Sequence, residues 1–366
     1  MNVLFLTTHF NTGGISIYVK TLAKEFKKRG HVPLVVSAGG EMVETLSSLG
    51  VEHVTMDIKT KSELSPKIYR ALGKLSRLIR ERKVDVVHAQ TRVTQVMGTF
   101  LARMTGRPYV STCHGFYRPK FFRKIFPCWG QGVIAISIPV VDHLRRDLNV
   151  DANKITLIHT GLDIHDFPPI TEEIREKRLR EMNIVGRPVI GIIARLVDIK
   201  GHDVLIKVMK NIVARYPAAK LLIVGQGKRE TYLKQLVSYL GLQEHVYFYP
   251  VVNKTATMLS LLDIFVMPSL EEGLGISIME AQAAGLPVVA SRVGGIVNLI
   301  EEDKTGVLVE PGNVDELSRA VIRLLADPMK AQEFGRRARI FIEEKFSASQ
   351  MAEATLRFYT AHIKDH

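Results

Sequence analysis

The chain has 366 residues, 46% of them hydrophobic and 24% charged, with 50 Lys and Arg against 37 Asp and Glu. This length suits two domains rather than one core, and no apolar run approaches the ~20 residues that cross a bilayer, so a polytopic membrane protein and a disordered chain are both excluded. Cys113 and Cys128 are too few for a disulfide framework, and nothing in the sequence argues against a reducing cytoplasm. The charge is uneven: residues 1–165 carry 24 Lys and Arg against 12 Asp and Glu, whereas 166–366 carry 26 against 25. The first half therefore suits an anionic partner, whether nucleic acid, acidic substrate or membrane. No zinc finger or RNP-type aromatic motif supports nucleic acid.

In chain order, MNVLFLTTHF lacks a basic leader and a small-residue cleavage site, and reads as a first strand rather than a signal peptide. VLFLTT, PLVVS, DVVHA, PYVST, VIAIS and ITLIH then alternate with helical patterns such as Ile15–Arg29 and Pro66–Arg82. The charged segment Asp166–Pro188 reads as a linker with one short helix near Glu173–Met182. The second half repeats the scheme with VIGIIA, KLLIVG, VYFY, IFVMPS, PVVAS and GVLV. Three helical stretches close the chain, near Val314–Ala326, Met329–Glu344 and Ser347–Ile363. Continuous Val/Ile runs between helices indicate parallel sheets covered on both faces. The predicted fold class is α/β, with two doubly wound Rossmann-like domains whose ligand sites lie beyond the carboxyl ends of the strands.

The most informative stretch is Pro268–Gly295, PSLEEGLGISIMEAQAAGLPVVASRVGG, which reads as strand end, glycine loop, helix and strand. Gly273 and Gly275 let the backbone turn tightly and approach a ligand. The helix starting near Ile276 points free N–H groups and its positive dipole end into that space, which suits a phosphate. Glu272 and Glu280, with seven residues between them, can accept hydrogen bonds from sugar hydroxyls. A diphosphate between two polyol groups is a nucleotide sugar. The histidines show no HExxH or paired metal-ligand spacing, there is no GxGxxG after the first strand, and no GKS/GKT loop is present.

The spacing E-GLGISIM-E resembles the signature of the family 4 glycosyltransferases, retaining enzymes of the GT-B fold, in which two such domains face a deep cleft. The resemblance implies that Glu272 contacts hydroxyls of the donor sugar and that Glu280 holds the nucleotide ribose, with the Gly273, Leu274, Gly275 and Ile276 backbone on the donor. Arg195 and Lys200, in IIARLVDIKGHDVLI, resemble the arginine and lysine that grip the donor diphosphate. Fixed cations there stabilise charge that develops on the leaving group. Gly13 and Gly14 resemble the N-terminal loop that approaches donor phosphate and acceptor, although many relatives carry a glutamate where this chain has Ser16. Gly225, in IVGQG, resembles a loop near the base, which Val252 is expected to border. His114 falls at the active-site histidine of the first domain. Cys113 beside it makes no dyad, because successive strand residues point to opposite faces.

The expected domains are 1–165 on the acceptor side, 166–346 binding the donor, and a last helix within 347–366 packing back on the first domain. The expected activity is retaining transfer of a sugar from a UDP- or GDP-sugar to an acceptor hydroxyl, with no cofactor and no bound metal. The family mechanism is front-face attack without a protein nucleophile. HGFYRPKFFRKIFPCW interleaves Arg118, Lys120, Arg123 and Lys124 with aromatic residues. That mixture suits a lipid headgroup region, so the expectation is a cytoplasmic enzyme, peripheral on the inner face of the membrane, acting on a lipid-linked or envelope glycan such as lipopolysaccharide. The competing readings are a sugar-nucleotide epimerase of the same fold and a non-catalytic nucleotide-sugar-binding subunit.

Overall fold

Alternation along β1 (Asn2–Leu6) sends Val3 and Phe5 to one face of a sheet and Leu4 and Leu6 to the other, and all four are fully buried. A strand with two apolar faces needs helices on both sides, and that requirement builds each half of the molecule. The computed structural model describes residues 1–60, 62–117, 123, 125–250 and 254–363, in two compact units, 1–161 with 348–366 and 162–347.

In the first unit β1 is joined by β2 (Val32–Ser37), β3 (Glu52–Thr55), β4 (Val86–Ala89), β5 (Tyr109–Cys113), β6 (Val133–Ala135) and β7 (Ile155–Leu157). The order is β3-β2-β1-β4-β5-β6-β7, with every pairing parallel. Direction of strand succession therefore reverses between β1 and β4. On one face, α1 (Gly14–Lys28) packs Tyr18, Leu22 and Phe26 onto Phe5 and Val35; on the other, Leu72, Leu75 and Ile79 of α3 (Pro66–Glu81) and Met97 and Leu101 of α4 (Arg92–Thr105) cover Leu4, Leu6 and Val87. Between these helices lies α2 (Val43–Ser48), and α5 (Ile138–Arg146) follows β6.

The second unit carries β8 (Val189–Ile193), β9 (Lys220–Val224), β10 (Val246–Tyr249), β11 (Ile264–Met267), β12 (Val288–Ser291) and β13 (Val307–Val309) in the order β10-β9-β8-β11-β12-β13. All pairings are parallel, and the reversal falls between β8 and β11. Its helices are α6 (Glu172–Glu181), α7 (His202–Arg215), α8 (Glu230–Tyr239), α9 (Thr255–Leu259), α10 (Ile276–Ala283), α11 (Val314–Ala326) and α12 (Pro328–Lys345). The closing helix, α13 (Ala348–Ile363), belongs to the first unit, where Met351, Ala352, Phe358 and Tyr359 are buried beside Tyr18 and Phe26. Burying one Met or Phe side chain contributes roughly 1.5–3 kcal/mol, enough to hold the helix on that face.

Two details differ from the sequence expectation. Asp166–Pro188 is not a linker: α6 lies on the second unit, where Arg175 pairs with Glu172 and Asp263, and Arg178 hydrogen-bonds Ser260. The second unit begins at Leu162, whose N–H donates to the Phe346 carbonyl (2.8 Å) and which bridges to Ser347. β3 has no counterpart among the expected strands. As an edge strand of sequence EHVT, with no fully buried residue, it lacks the apolar run that marks the others.

Candidate functional site

In an open parallel sheet the loops on either side of the reversal diverge and leave a crevice at the carboxyl ends of the strands. In the second unit those loops follow β8 and β11, and backbone hydrogen bonds tie the β8 loop to the end of β9 and its loop on one side and to the β11 loop on the other. Ala194 N–H donates to the Val224 carbonyl (3.0 Å), Leu196 N–H to Gln226 (3.0 Å) and Leu270 N–H to Ile199 (2.8 Å). Gly201 caps α7 at a φ of 66°, in the left-handed region, and a Cβ there would collide with the Pro268 carbonyl. Gly225 likewise lies against the Ala194 carbonyl.

This frame brings together seven of the expected donor residues: Lys200, Glu272, Gly273, Leu274, Gly275, Ile276 and Glu280. Lys200, at the end of the loop after β8, forms an ion pair with Glu272, in the loop after β11. Gly275 precedes α10 in the left-handed region, at φ 103°, and no side chain caps the first turn, which also holds no acidic residue. The dipole at that end is unopposed and suits an anion. Gly273 links Glu272 to this turn, and the Glu272 carbonyl accepts from Gly295 N–H (3.0 Å). Leu274 is buried beneath the loop, Ile276 is half-buried, and Glu280 is buried one turn along the helix. Arg195 is exposed and its guanidinium makes no ion pair among the described residues. His202, which opens α7, is buried; burial and then the Lys200 charge push its pKa down to about 4, so it is neutral at pH 7. Val252 lies outside the described residues. Among those described, no three His, Cys, Asp or Glu side chains gather into a group able to hold a metal ion.

A cavity of about 690 Å³ in the same unit lies at the opposite, amino end of the sheet, lined by Pro188, Ile264 and Pro287 among others, and has no part in this site.

The first unit repeats the arrangement at its own reversal. Gly13 caps α1 with extended backbone; no side chain caps the helix, and a Cβ at Gly13 would meet nothing within 4 Å. Gly14 opens the helix, and Ser16 is buried on it. Thr12 N–H donates to the Glu41 carboxylate (2.9 Å), which lowers the pKa of that group. His114 follows β5 and is half-buried; burial pushes its pKa down to about 3, so the ring is neutral. Its Nε2 lies 2.8 Å from Gln90 Oε1, and its ring meets Tyr18 edge-on, with centroids 4.9 Å apart. Below it, His88 bridges Thr112 Oγ1 (2.7 Å) and Tyr359 Oη (2.6 Å). Cys113 points elsewhere, its thiol donating to the Gly115 carbonyl (3.3 Å), and burial raises its pKa to about 12. Sequence reasoning missed Gln90. The signal available for it was a polar residue directly after the buried strand VVHA.

Of the basic aromatic segment, Arg118, Lys120, Phe121, Phe122 and Lys124 lie outside the described residues. Trp129, expected at a lipid surface, is 5% exposed and stacks with Tyr117 at a centroid distance of 6.3 Å. Arg123 lies over the Tyr117 ring at 4.9 Å, Phe116 packs against His143, and Phe126 against Phe100. These rings therefore serve the first unit's own packing, and among the described residues of the segment Ile125, 64% exposed, is the outward apolar one.

Residues 12–166 match the model for "Glycosyltransferase Family 4" and residues 173–341 that for "Glycosyl transferases group 1". A GDP-mannose-dependent alpha-(1-6)-phosphatidylinositol monomannoside mannosyltransferase of Mycolicibacterium smegmatis is 37% identical over 72% of this chain and 73% of its own. A GDP-mannose-dependent monoacylated alpha-(1-6)-phosphatidylinositol monomannoside mannosyltransferase of Corynebacterium glutamicum is 32% identical, over 76% and 77% respectively. HepE of Anabaena, crystallised with UDP-glucose, superposes with a TM-score of 0.87 over 99% of this chain and 100% of its own at 22% identity, a likeness of fold. With two parallel-sheet units, a glycine-led helix start at each reversal and matches over nearly the whole length, the chain belongs to the family 4 glycosyltransferases of the GT-B fold.

Proposed function

We propose that this glycosyltransferase retains anomeric configuration, takes a UDP- or GDP-sugar as donor, and glycosylates a lipid-linked or cell-envelope acceptor. The observation that carries the donor assignment is the uncapped start of α10 beside the Lys200–Glu272 pair at the reversal of the second sheet. The diphosphate would lie against the α10 turn and the Lys200 and Arg195 cations, with Glu280 on the ribose and Glu272 on the sugar. In the proposed step the bond from the anomeric carbon to the diphosphate breaks and its electron pair leaves with the phosphate oxygen. The acceptor oxygen bonds the same carbon on the same face, and its proton passes to the departing phosphate oxygen. Lys200 and Arg195 supply the positive charge this leaving group needs, so transfer proceeds without a divalent ion. GDP-mannose dependence in the two curated relatives and UDP-glucose in the Anabaena crystal support a nucleoside diphosphate donor of either base. The phosphatidylinositol mannoside acceptors in the relatives' names support a lipid-borne acceptor reached from the membrane surface.

Incubation of the protein with UDP- and GDP-sugars, with and without lipid extract and in the presence of EDTA, tests this reading. Sugar transfer should require acceptor, survive EDTA and keep the donor's anomeric configuration in the product. Interconversion of the nucleotide sugar without acceptor would indicate an epimerase, binding without turnover a non-catalytic subunit, and inversion a different mechanism.

A further inference from the structure

We propose that Gln90 is a positioning residue that sets the proton of His114, holding the imidazole as the Nε2–H tautomer and leaving Nδ1 as a hydrogen-bond acceptor for a substrate hydroxyl. The inference rests on the reading of His114 as a residue that meets substrate.

Geometry fixes each proton in turn. Gln90 follows β4 and His114 follows its neighbour β5; the parallel register pairs Ala89 with Ser111, so His114 lies two residues beyond the level of Gln90, and the Gln90 side chain spans that step. The Gln90 side chain is fully buried and bonded at both ends, with Nε2 3.4 Å from the His88 carbonyl and Oε1 2.8 Å from His114 Nε2. A carbonyl has no proton to give, so the amide NH2 faces it; reversing the amide would set two acceptors against each other. Oε1 then faces the imidazole and can only accept, which requires a proton on His114 Nε2. A neutral imidazole carries one N–H, so Nδ1 is an acceptor. Burial keeps the ring neutral. Nδ1 makes no hydrogen bond among the described residues. Tyr18 holds the ring from the α1 side, edge-on at an interplanar angle of 80°, and is itself anchored through its hydroxyl to Thr112 Oγ1 at 3.3 Å.

The consequence is a rule of recognition. An acceptor nitrogen on a neutral ring takes an O–H donor, such as a sugar alcohol, and repels a phosphate or carboxylate oxygen. A backbone carbonyl two residues before Gln90 thus determines, through one amide, which oxygens His114 accepts.

The test is long-range proton–nitrogen NMR on the full chain with labelled histidine, assigning the His114 signals by their loss in His114→Gln. The wild-type ring should carry its proton on Nε2. In Gln90→Leu the proton should redistribute toward Nδ1, and kcat for sugar transfer should fall about tenfold or more while the donor KM stays within about twofold. Gln90→Glu, which can still accept from Nε2–H, should keep the wild-type tautomer, recover part of kcat and raise the midpoint of His114 titration. A wild-type proton on Nδ1, an unchanged tautomer in folded Gln90→Leu, or wild-type kcat in His114→Ala would each overturn the proposal. Should Gln90→Leu fail to fold, the wild-type spectrum decides. Failure of nucleotide sugars to bind would sink the donor assignment and leave the NMR result untouched.

Discussion

The Lys200 ammonium and the Glu272 carboxylate are paired across the reversal of the second sheet, with only 13% and 15% of their side chains exposed. A cation and an anion held this close to an uncapped helix start form a site charged for a ligand that carries both phosphate and hydroxyl groups. The pair also makes Arg195 and Lys200, the two proposed donor-site cations, unequal in their structural cost.

Arg195→Ala and Lys200→Ala should each lower turnover by about 2–4 kcal/mol in transition-state terms, as for loss of one oxyanion donor. Their effects on folding should differ. Arg195 is exposed, so its loss should change stability by less than about 0.5 kcal/mol. Lys200→Ala strands a largely buried Glu272 and should cost about 1–3 kcal/mol. Steady-state kinetics beside chemical denaturation separates the two. Near-native kcat in both variants would show that the diphosphate lies elsewhere.

Glu280 is buried in α10, one turn beyond the expected phosphate position. A contact to ribose is equal in ground and transition states, so Glu280→Gln should raise the donor KM by about tenfold with kcat nearly unchanged. A fall in kcat at constant KM would move Glu280 to the reacting end of the donor.

Acid should destabilise the fold earlier than carboxylate titration would. Burial lowers the pKa of His88 and His114 to about 3, and burial with the Lys200 charge lowers that of His202 to about 4. Each native ring therefore binds fewer protons than its unfolded counterpart, which titrates at about 6.5. Stability is intact above that value and falls as pH drops from it toward the folded-state values, by up to about 1.4 kcal/mol per pH unit for each histidine. Melting temperature should decline between pH 6.5 and 4.5, with net proton uptake on unfolding. A flat profile over that range would contradict neutral burial of these rings.

Membrane contact, if it rests on the basic segment, should depend on Arg118, Lys120 and Lys124 rather than on Trp129 or Tyr117, which pack within the first unit. Each cation near an anionic surface contributes about 1 kcal/mol. Replacing the three by Ser should lower co-sedimentation with anionic vesicles and weaken its salt dependence, with neutral vesicles as control. Equal, negligible pelleting on both vesicle types would remove the membrane from the account.

The parallel architecture was legible because its central strands are continuous Val/Ile/Leu runs, and the loop and helix start after β11 because closely spaced glycines mark a tight turn into a helix. Gly201 shows the limit: its role depends on the Pro268 carbonyl, which only the folded sheet brings to it. β3 escaped because an edge strand needs only one covered face, and Asp166–Pro188 looked like a linker because its ion pairs to Asp263 are invisible in one dimension. Phe116, Tyr117, Phe126 and Trp129 read as lipid-facing in the sequence because composition does not say which way a ring turns. Gln90 could not be singled out without knowing that β4 and β5 are neighbours.

The most direct test of the central claim is the binding of nucleotide sugars, read as a shift in melting temperature across UDP-, GDP- and ADP-sugars for the wild-type protein and for Lys200→Ala with Glu280→Gln. A ligand at 100 times its Kd should stabilise the native state by about 2.7 kcal/mol. At least one UDP- or GDP-sugar should raise the wild-type melting temperature by several degrees, and the double variant should lose that shift. No shift with any nucleotide sugar, or an equal shift in the double variant, would contradict a donor site at the reversal of the second sheet.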